Sequence, residues 1–408
     1  MSKRHTTAAG VLLVALGALL VLWWANRSPP SDERHIAFKA VGFDRLSGWS
    51  DDGQHLALQA FLRSCSRLEE LAPSRPIGPV EFGTAAQDWF EPCAAARRIS
   101  PDNPGEARYF FEAEFEPVAV MRGPDTEGLF TGYYEPRFEG SRQRIGRFTV
   151  PLYGRPTDLV TVNLGEFRPD WSGVQLVGRL ADGKLEPFDT RARIEGEEFA
   201  GRAQPIMWLR SAVDAFFLQI QGAGRIRLND GTETRVGYAA SNGHPYAAIG
   251  NELISRGALP EDGVSMQSIR RWLEENPLEA KDVMFTNSRY IFFREVRGDG
   301  PLGAAQVVLT PGRSLAVDTT LFPLHLPVWL ETSLPALTED ANGLALNRLM
   351  VTQDTGGAIR GPVRGDIFWG NGPQAEEIAG RMRSVGRYYF LLPRGVRERV
   401  LAGAAKAN

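Results

Sequence analysis

A chain of 408 residues, 43% hydrophobic and 23% charged, has the proportions of a folded protein with room for two domains. A formal net charge of -3 supplies no basic face for nucleic acid, so an anionic polymer would not be found by bulk attraction. The 43 glycines and 27 prolines favour many turns and a mainly β architecture.

Lys3, Arg4 and His5 precede an uncharged apolar run from Ala8 to Ala25, which Arg27, Pro29 and Pro30 close. That layout, over residues 1–27, is an export signal or a signal anchor with its positive end inside. The run is long for a cleaved signal, and no Ala-x-Ala site follows it. An uncleaved membrane anchor is therefore the preferred reading, with Trp23 and Trp24 at the far interface and the rest of the chain in the periplasm. No cysteine lies nearby to carry a lipid. Export also bears on Cys65 and Cys93, which an oxidising compartment would let pair, although the spacing equally allows two buried thiols. Residues 28–44 are polar and proline-bearing at their start and read as a linker.

From about residue 51 the pattern turns helical. Leu58, Phe61, Leu62, Cys65 and Leu68 fall on one helix face, and further helices fit 85–97 and 104–113. Strands follow at 115–121 and 129–136, the second carrying Thr131, Tyr133, Tyr134 and Glu135 beside Gly132. Such a strand is ordinary core, yet its hydroxyls, carboxylate and ring faces are also what a polysaccharide groove uses. Residues 138–245 read as short strands with hairpin turns at 181–183 and 229–231. Within them, 214–220 reads as an apolar strand bearing Gln219, followed by Gln221 and a glycine-opened turn. Helices are expected over 246–255 and 265–275, the latter capped by Ser265. The strand 290–296 leads into Gly298-Asp299-Gly300-Pro301-Leu302-Gly303. That run fits a nucleotide-binding Gly-x-Gly-x-x-Gly only if a helix follows, and 304–309 reads as a strand instead. Strands at 315–318, 327–331 and 346–351, a helix over 373–384 and a strand at 388–392 complete the chain.

The most informative stretch is Val351 to Gly372, where Asp354 and Asp366 stand among six glycines. Ile367, Phe368 and Trp369 follow Asp366 directly. A carboxyl among apolar neighbours has its pKa raised and can hold a proton near neutral pH. One reading is a pair of turns with aspartates bonding their own backbone. The other is a catalytic cleft for a sugar with Trp369 as a wall. Asp354-Thr355-Gly356 also matches the aspartic-protease tripeptide, but those enzymes need two copies, so this reading would require a dimer. The five histidines show no ligand pairing, and the spacing of Asp318, Asp354 and Asp366 fits no known calcium loop, so no metal or other cofactor is expected.

Taken together, Phe130-Thr-Gly-Tyr-Tyr-Glu-Pro136, Phe216-Phe-Leu-Gln-Ile-Gln-Gly-Ala-Gly-Arg225, Gly237-Tyr-Ala-Ala-Ser-Asn-Gly-His-Pro-Tyr246, Gln353-Asp-Thr-Gly-Gly-Ala-Ile359 and Gly365-Asp-Ile-Phe368 resemble the membrane-bound lytic murein transglycosylase A family. The resemblance runs from about residue 45 to 395. It implies a double-psi β-barrel built from 45–136 and 296–395, with a second β domain at 137–295 inserted between them and a tail at 396–408. Its C-terminal part looks like the three-aspartate module, with Asp318, Asp354 and Asp366 at the three positions. Asp366 matches the family's single acid/base, and Asp354 and Thr131 match residues beside it. Tyr133, Tyr134, Glu135, Gln219, Gln221, Asp318 and Trp369 are the further expected substrate contacts.

The implied reaction is non-hydrolytic cleavage of the β-1,4 bond between N-acetylmuramic acid and N-acetylglucosamine, giving 1,6-anhydromuramoyl ends. The expected partners are peptidoglycan strands and the membrane, with no nucleic acid. Two alternatives are a hydrolase of the same glycan, with Asp354 or Glu135 assisting Asp366, and an inactive murein-binding scaffold. Relatives carry a lipid on an N-terminal cysteine that this chain lacks, which points to the inner membrane for the anchor.

Overall fold

The computed structural model describes residues 36–79, 82–171, 174–199, 201–298, 300–336 and 343–407. The expected anchor at 1–27 lies outside them. Strand β1 (Ile36–Ala40) pairs antiparallel with β2 (Phe115–Arg122). Part of the expected linker is thus a strand, because Ile36 and Phe38 alternate with Ala37 and Lys39 and pack on the main core.

Between these strands lie α1 (Gln54–Leu68), α2 (Phe90–Ala96) and α3 (Pro104–Glu114). Ala57, Leu58, Phe61, Cys65 and Leu68 of α1 are fully buried, the stripe that the helical spacing requires. The Asn103 side chain caps α3 by accepting from the Gly105 and Glu106 amides. Cys65 and Cys93 form a disulfide that ties α1 to α2. The chain then enters β3 (Gly128–Glu135).

Strands β4 (Arg137–Ser141), β5 (Val150–Tyr153), β6 (Leu159–Asn163), β7 (Gln175–Ala181) and β8 (Lys184–Pro187) come next. After them come α4 (Arg191–Ile194), β9 (Pro205–Leu209), α5 (Ala212–Gln221), β10 (Ala223–Leu228) and β11 (Glu233–Ser241). Helices α6 (Ile249–Ser255), α7 (Met266–Glu275) and α8 (Pro277–Phe285) lead to β12 (Ile291–Val296). The sheet order is β12-β11-β10-β4-β9-β5, with β6-β7-β8 as a separate three-stranded sheet.

The expected strand at 214–220 is α5. Ser211 caps it through the Val213 and Asp214 amides, and Gly222 ends it in the left-handed conformation. Its apolar run is buried on most sides, which erases the polar face that would have marked a helix.

The chain returns with β13 (Ser314–Ala316), β14 (Pro327–Ser333), β15 (Ala345–Asp354) and β16 (Arg364–Asn371). Helix α9 (Pro373–Arg381), β17 (Arg383–Pro393) and α10 (Arg397–Ala407) follow, so the expected tail is largely a helix. Residues 304–309, expected as a strand, are turns with one bridge from Leu302 to Val308. Among the described residues no ladder partner continues along them.

The largest sheet among the described residues has the order β1-β2-β17-β14-β15-β13-β16-β3, and an extra β17–β3 pairing closes part of it on itself. The closed ring is β3-β16-β13-β15-β14-β17. Its β13/β15 and β16/β3 pairs are parallel and the other four antiparallel. Phe130, Leu315, Val328, Leu330, Leu349, Ile367 and Phe390 belong to the one core that fills it. The ring takes β3 from one end of the chain and the remaining strands from the other, with the β4–β12 region between. Glu135, at the exit of β3, accepts from Arg225 Nε (2.8 Å) and Arg235 Nε (3.0 Å), pinning that region to the ring.

Candidate active site

The ladder aligns the acids. Ala316 of β13 pairs with Asp354 on one side and Asp366 on the other, so the two carboxylate-bearing backbones lie two strand spacings, about 10 Å, apart. Only a methyl group stands between them. On the far side Thr131 is opposite Asp366, and Arg383 is opposite Thr131. The row Asp354–Ala316–Asp366–Thr131–Arg383 thus crosses five strands in register.

Asp366 receives a 2.6 Å hydrogen bond from the Thr131 hydroxyl to its Oδ1. Burial lifts its pKa from 3.8 to about 6, with Asp354 adding to the rise while Arg364 and the Thr131 bond oppose it. Asp354 is more heavily bonded. Tyr133 donates its hydroxyl to Oδ2 (2.7 Å), and the Ala304 and Thr355 amides donate to Oδ1 (both 2.9 Å). Burial raises its pKa too, but all three donors favour its charged form. Tyr133 stays neutral and a donor, because burial and the Asp354 carboxylate raise its own pKa well above the ordinary value.

These contacts depend on close approach. A Cβ at Gly303 would meet the Gln353 carbonyl oxygen at 2.3 Å, so only glycine lets this loop bring the Ala304 amide to Asp354. Gln353 is itself fixed, accepting from the Ser314 hydroxyl (2.6 Å) and donating to Ala60 O and Ser64 Oγ on α1.

The other expected site residues divide. Thr131, Tyr133, Asp354 and Asp366 come together. Asp318 is buried and holds the loop after Asp354, accepting from Arg360 (3.1 Å), the Gly361 amide (2.9 Å) and Thr320. Tyr134 points to the other face of β3, among Ala375, Ala379, Met266 and Trp369. Gln221 accepts from the Tyr134 amide (3.1 Å), and Gln219 is buried beside the Ile291 amide. Glu135 is taken up by its two arginines. Trp369 alternates away from Asp366, with its indole against Gly132 and Ala379 and Arg348 over its ring. Phe368 is the aromatic on the acid face, 5.3 Å from the Tyr133 ring.

Several residues that sequence reasoning did not single out also reach the site. Arg364 Nη2 donates to Thr131 Oγ1 (2.9 Å). Tyr246 is held neutral by burial and by the nearby charge of Asp366. Arg289 donates to the His244 carbonyl and packs against Gly357. Tyr246 lay inside a motif already noted. Arg364 lay two residues before Asp366, and a strand's period of two would have put both on one face.

A pair of arrangements follows in chemical terms. Among the described residues one carboxyl, its pKa lifted to about 6, has a single donor, and its neighbour is bonded as a charged acceptor. Such a split suits one group to carry a proton and the other to supply negative charge.

Residues 129–294 match the family described as the MltA specific insert domain, and residues 313–392 match the 3D domain. Membrane-bound lytic murein transglycosylase A from Escherichia coli strain K12 is 32% identical over 278 residues, covering 66% of this chain and 68% of that one. The crystal structure of a membrane-bound lytic murein transglycosylase from Agrobacterium tumefaciens superposes with a TM-score of 0.78 at 37% identity, covering 89% of this chain and 99% of that chain. A crystal structure of E. coli MltA with bound chitohexaose gives a TM-score of 0.60 at 25% identity, covering 90% of this chain and 97% of that chain.

Proposed function

The chain belongs to the membrane-bound lytic murein transglycosylase A family, and from that premise we propose that it cuts peptidoglycan without water, using Asp366 as its single acid/base. The bond broken is the β-1,4 link between N-acetylmuramic acid and N-acetylglucosamine. Protonated Asp366 gives its proton to the leaving oxygen. The muramoyl ring passes through an oxocarbenium-like state, and the Asp366 carboxylate then takes the proton of the 6-hydroxyl as that oxygen closes on C1. Proton count balances over the cycle, and the product carries a 1,6-anhydro ring. The observation that carries this reading is one half-buried carboxyl, its pKa lifted to about 6, beside a second carboxylate engaged by three donors.

Asp354 supplies negative charge beside the developing cation. Ordinary glycosidases need a second carboxyl to activate water or attack the sugar. Glu135 is spent on Arg225 and Arg235, and Asp354 on its three donors, so neither is a free second catalyst. Thr131 and Tyr133 hold the acids, Phe368 packs behind the Tyr133 ring, and the half-buried Tyr246 stands near Asp366. The chitohexaose bound in the E. coli relative supports a glycan strand as the ligand class.

The closed six-strand ring with two parallel pairs is read as a double-psi β-barrel, divided in sequence into 45–136 and 296–395 by a domain at 137–295. The protein works in the periplasm at the membrane, held by its N-terminal segment. Among the described residues no helix is long and apolar enough to cross a membrane, and that segment lies outside them.

Asp366→Asn tests the assignment. It keeps an acceptor for Thr131 and cannot cycle a proton, so digestion of purified sacculi falls by at least ~10²-fold. Wild-type digestion by the variant removes Asp366 from the role, and a wild-type protein that binds sacculi without digesting them leaves the scaffold reading.

A further inference from the structure

Arg364 takes no part in the reaction as drawn, yet its guanidinium is built into the acid. Nη2 donates to Thr131 Oγ1 at 2.9 Å, while Nη1 donates to the carbonyls of Gly365 and, at 3.4 Å, Leu129. A guanidinium can only donate, and a threonine hydroxyl has one proton. With a lone pair of Thr131 facing Arg364, its proton is directed to Asp366 Oδ1, 2.6 Å away. The bonds therefore run one way, from arginine to threonine to aspartate.

That direction limits where Asp366 can carry its own proton. Oδ1 faces a hydrogen and must act as the carbonyl oxygen of the acid. Oδ2 makes no hydrogen bond among the described residues and is not a buried orphan. We propose that Arg364 is a positioning residue, which orients the Thr131 hydroxyl and so confines the catalytic proton of Asp366 to Oδ2. One oxygen then both protonates the leaving group and accepts the 6-hydroxyl proton. This rests on Asp366 being the acid/base. If Arg364 were absent, the threonine hydroxyl could turn and accept from an Oδ1 proton, leaving part of the enzyme with its proton on the wrong oxygen.

The titratable and charged groups around Asp366 are Arg364 on its own strand, Asp354 on β15, Tyr133 on β3, Tyr246 before α6 and the exposed Arg383 on β17. Burial raises the Asp366 pKa and Arg364 works against it. Both Arg364 and the Thr131 bond favour the carboxylate, so losing either raises that pKa. An acid that must start protonated then stays active to higher pH.

The test digests sacculi with Arg364→Met, Thr131→Val, the double variant and Thr131→Ser, each checked for folding by thermal unfolding. Arg364→Met and Thr131→Val are each expected to lower kcat about tenfold with KM little changed, and to move the alkaline limb of kcat/KM up by about one pH unit. The double variant loses no more kcat than Thr131→Val alone, because arginine acts through threonine. Thr131→Ser restores the limb and kcat. Wild-type kcat and limb in folded Arg364→Met, or losses that multiply in the double variant, overturn the proposal. Should Arg364→Met not fold, failure of Thr131→Val to change kcat or the limb, or of Thr131→Ser to restore them, overturns it equally. Asp366→Asn run alongside separates the two ideas: if it is inactive while Arg364→Met is normal, only the positioning role falls.

Discussion

Two kinds of acid withdrawn from solvent occur in this molecule, and they differ both in exposure and in partners: Glu135 is buried, whereas Asp354 and Asp366 are half-buried. In the frame, Glu135 lies between Arg225 and Arg235, and Asp52 takes a two-pronged bond from Arg313 (2.7 and 2.8 Å) together with the Leu349 amide. At the paired acids, Asp366 has a hydroxyl donor and Asp354 has a phenol and two amides. A guanidinium in direct contact neutralises a buried carboxylate and makes it part of the scaffold. A hydroxyl donor, with the Arg364 guanidinium acting only at a distance, compensates the charge in part, and burial still lifts the acid into the range where chemistry needs it.

The comparison breaks most visibly in stability. Glu135→Ala removes the carboxylate that Arg225 and Arg235 share at the junction and should cost about 3–5 kcal/mol, read as a fall in Tm and in the denaturant midpoint. Asp366→Asn should move the other way, apart from its loss of activity. A carboxyl whose folded pKa is raised binds its proton more tightly in the native state, so it contributes stability that is present at low pH. That stability is lost as pH rises from 3.8 through about 6. Asparagine has no charge to bury, so the variant's Tm should exceed the wild type's at pH 8 and match it more closely at pH 4. A variant less stable than wild type at pH 8 would place Asp366 with the frame.

Activity sharpens the same contrast. The alkaline limb of kcat/KM should fall with rising pH near 6, the pKa of Asp366. Asp354→Asn keeps its size but removes negative charge beside the developing cation, and about a tenfold loss in kcat is expected. The smallest effect belongs to the exposed pair Arg142–Glu295, whose Arg142→Ala variant should stay within ~0.5 kcal/mol of wild type.

Much of this was legible in the chain. The helix stripe from Leu58 to Leu68, the Ser265 cap and the two acids in a glycine-rich run are local patterns, and each appears where its spacing places it. What failed was local pattern without its packing. Residues 212–221 are apolar nearly throughout, so periodicity could not tell helix from strand until Ser211 and Gly222 were seen as caps. Helix α8 was missed because it follows α7 after one residue, with Pro277 starting it. Trp369 follows Asp366 closely in sequence, yet the alternation of β16 puts it on the opposite face of the strand, and Phe368, on the acid's face, is buried against Tyr133. Glu135 accepts from Arg225 and Arg235, and Gln221 from the Tyr134 amide. Their partners lie roughly ninety residues away, and no single-stretch reading sees those.

Digestion of sacculi in oxygen-labelled water tests the central claim most directly, that a lone carboxyl at 366 lets the sugar's own hydroxyl displace the bond. Mass spectrometry of the muropeptides should show 1,6-anhydro ends, one water lighter than hydrolysed ends and free of label. Reducing ends carrying the labelled oxygen would contradict it.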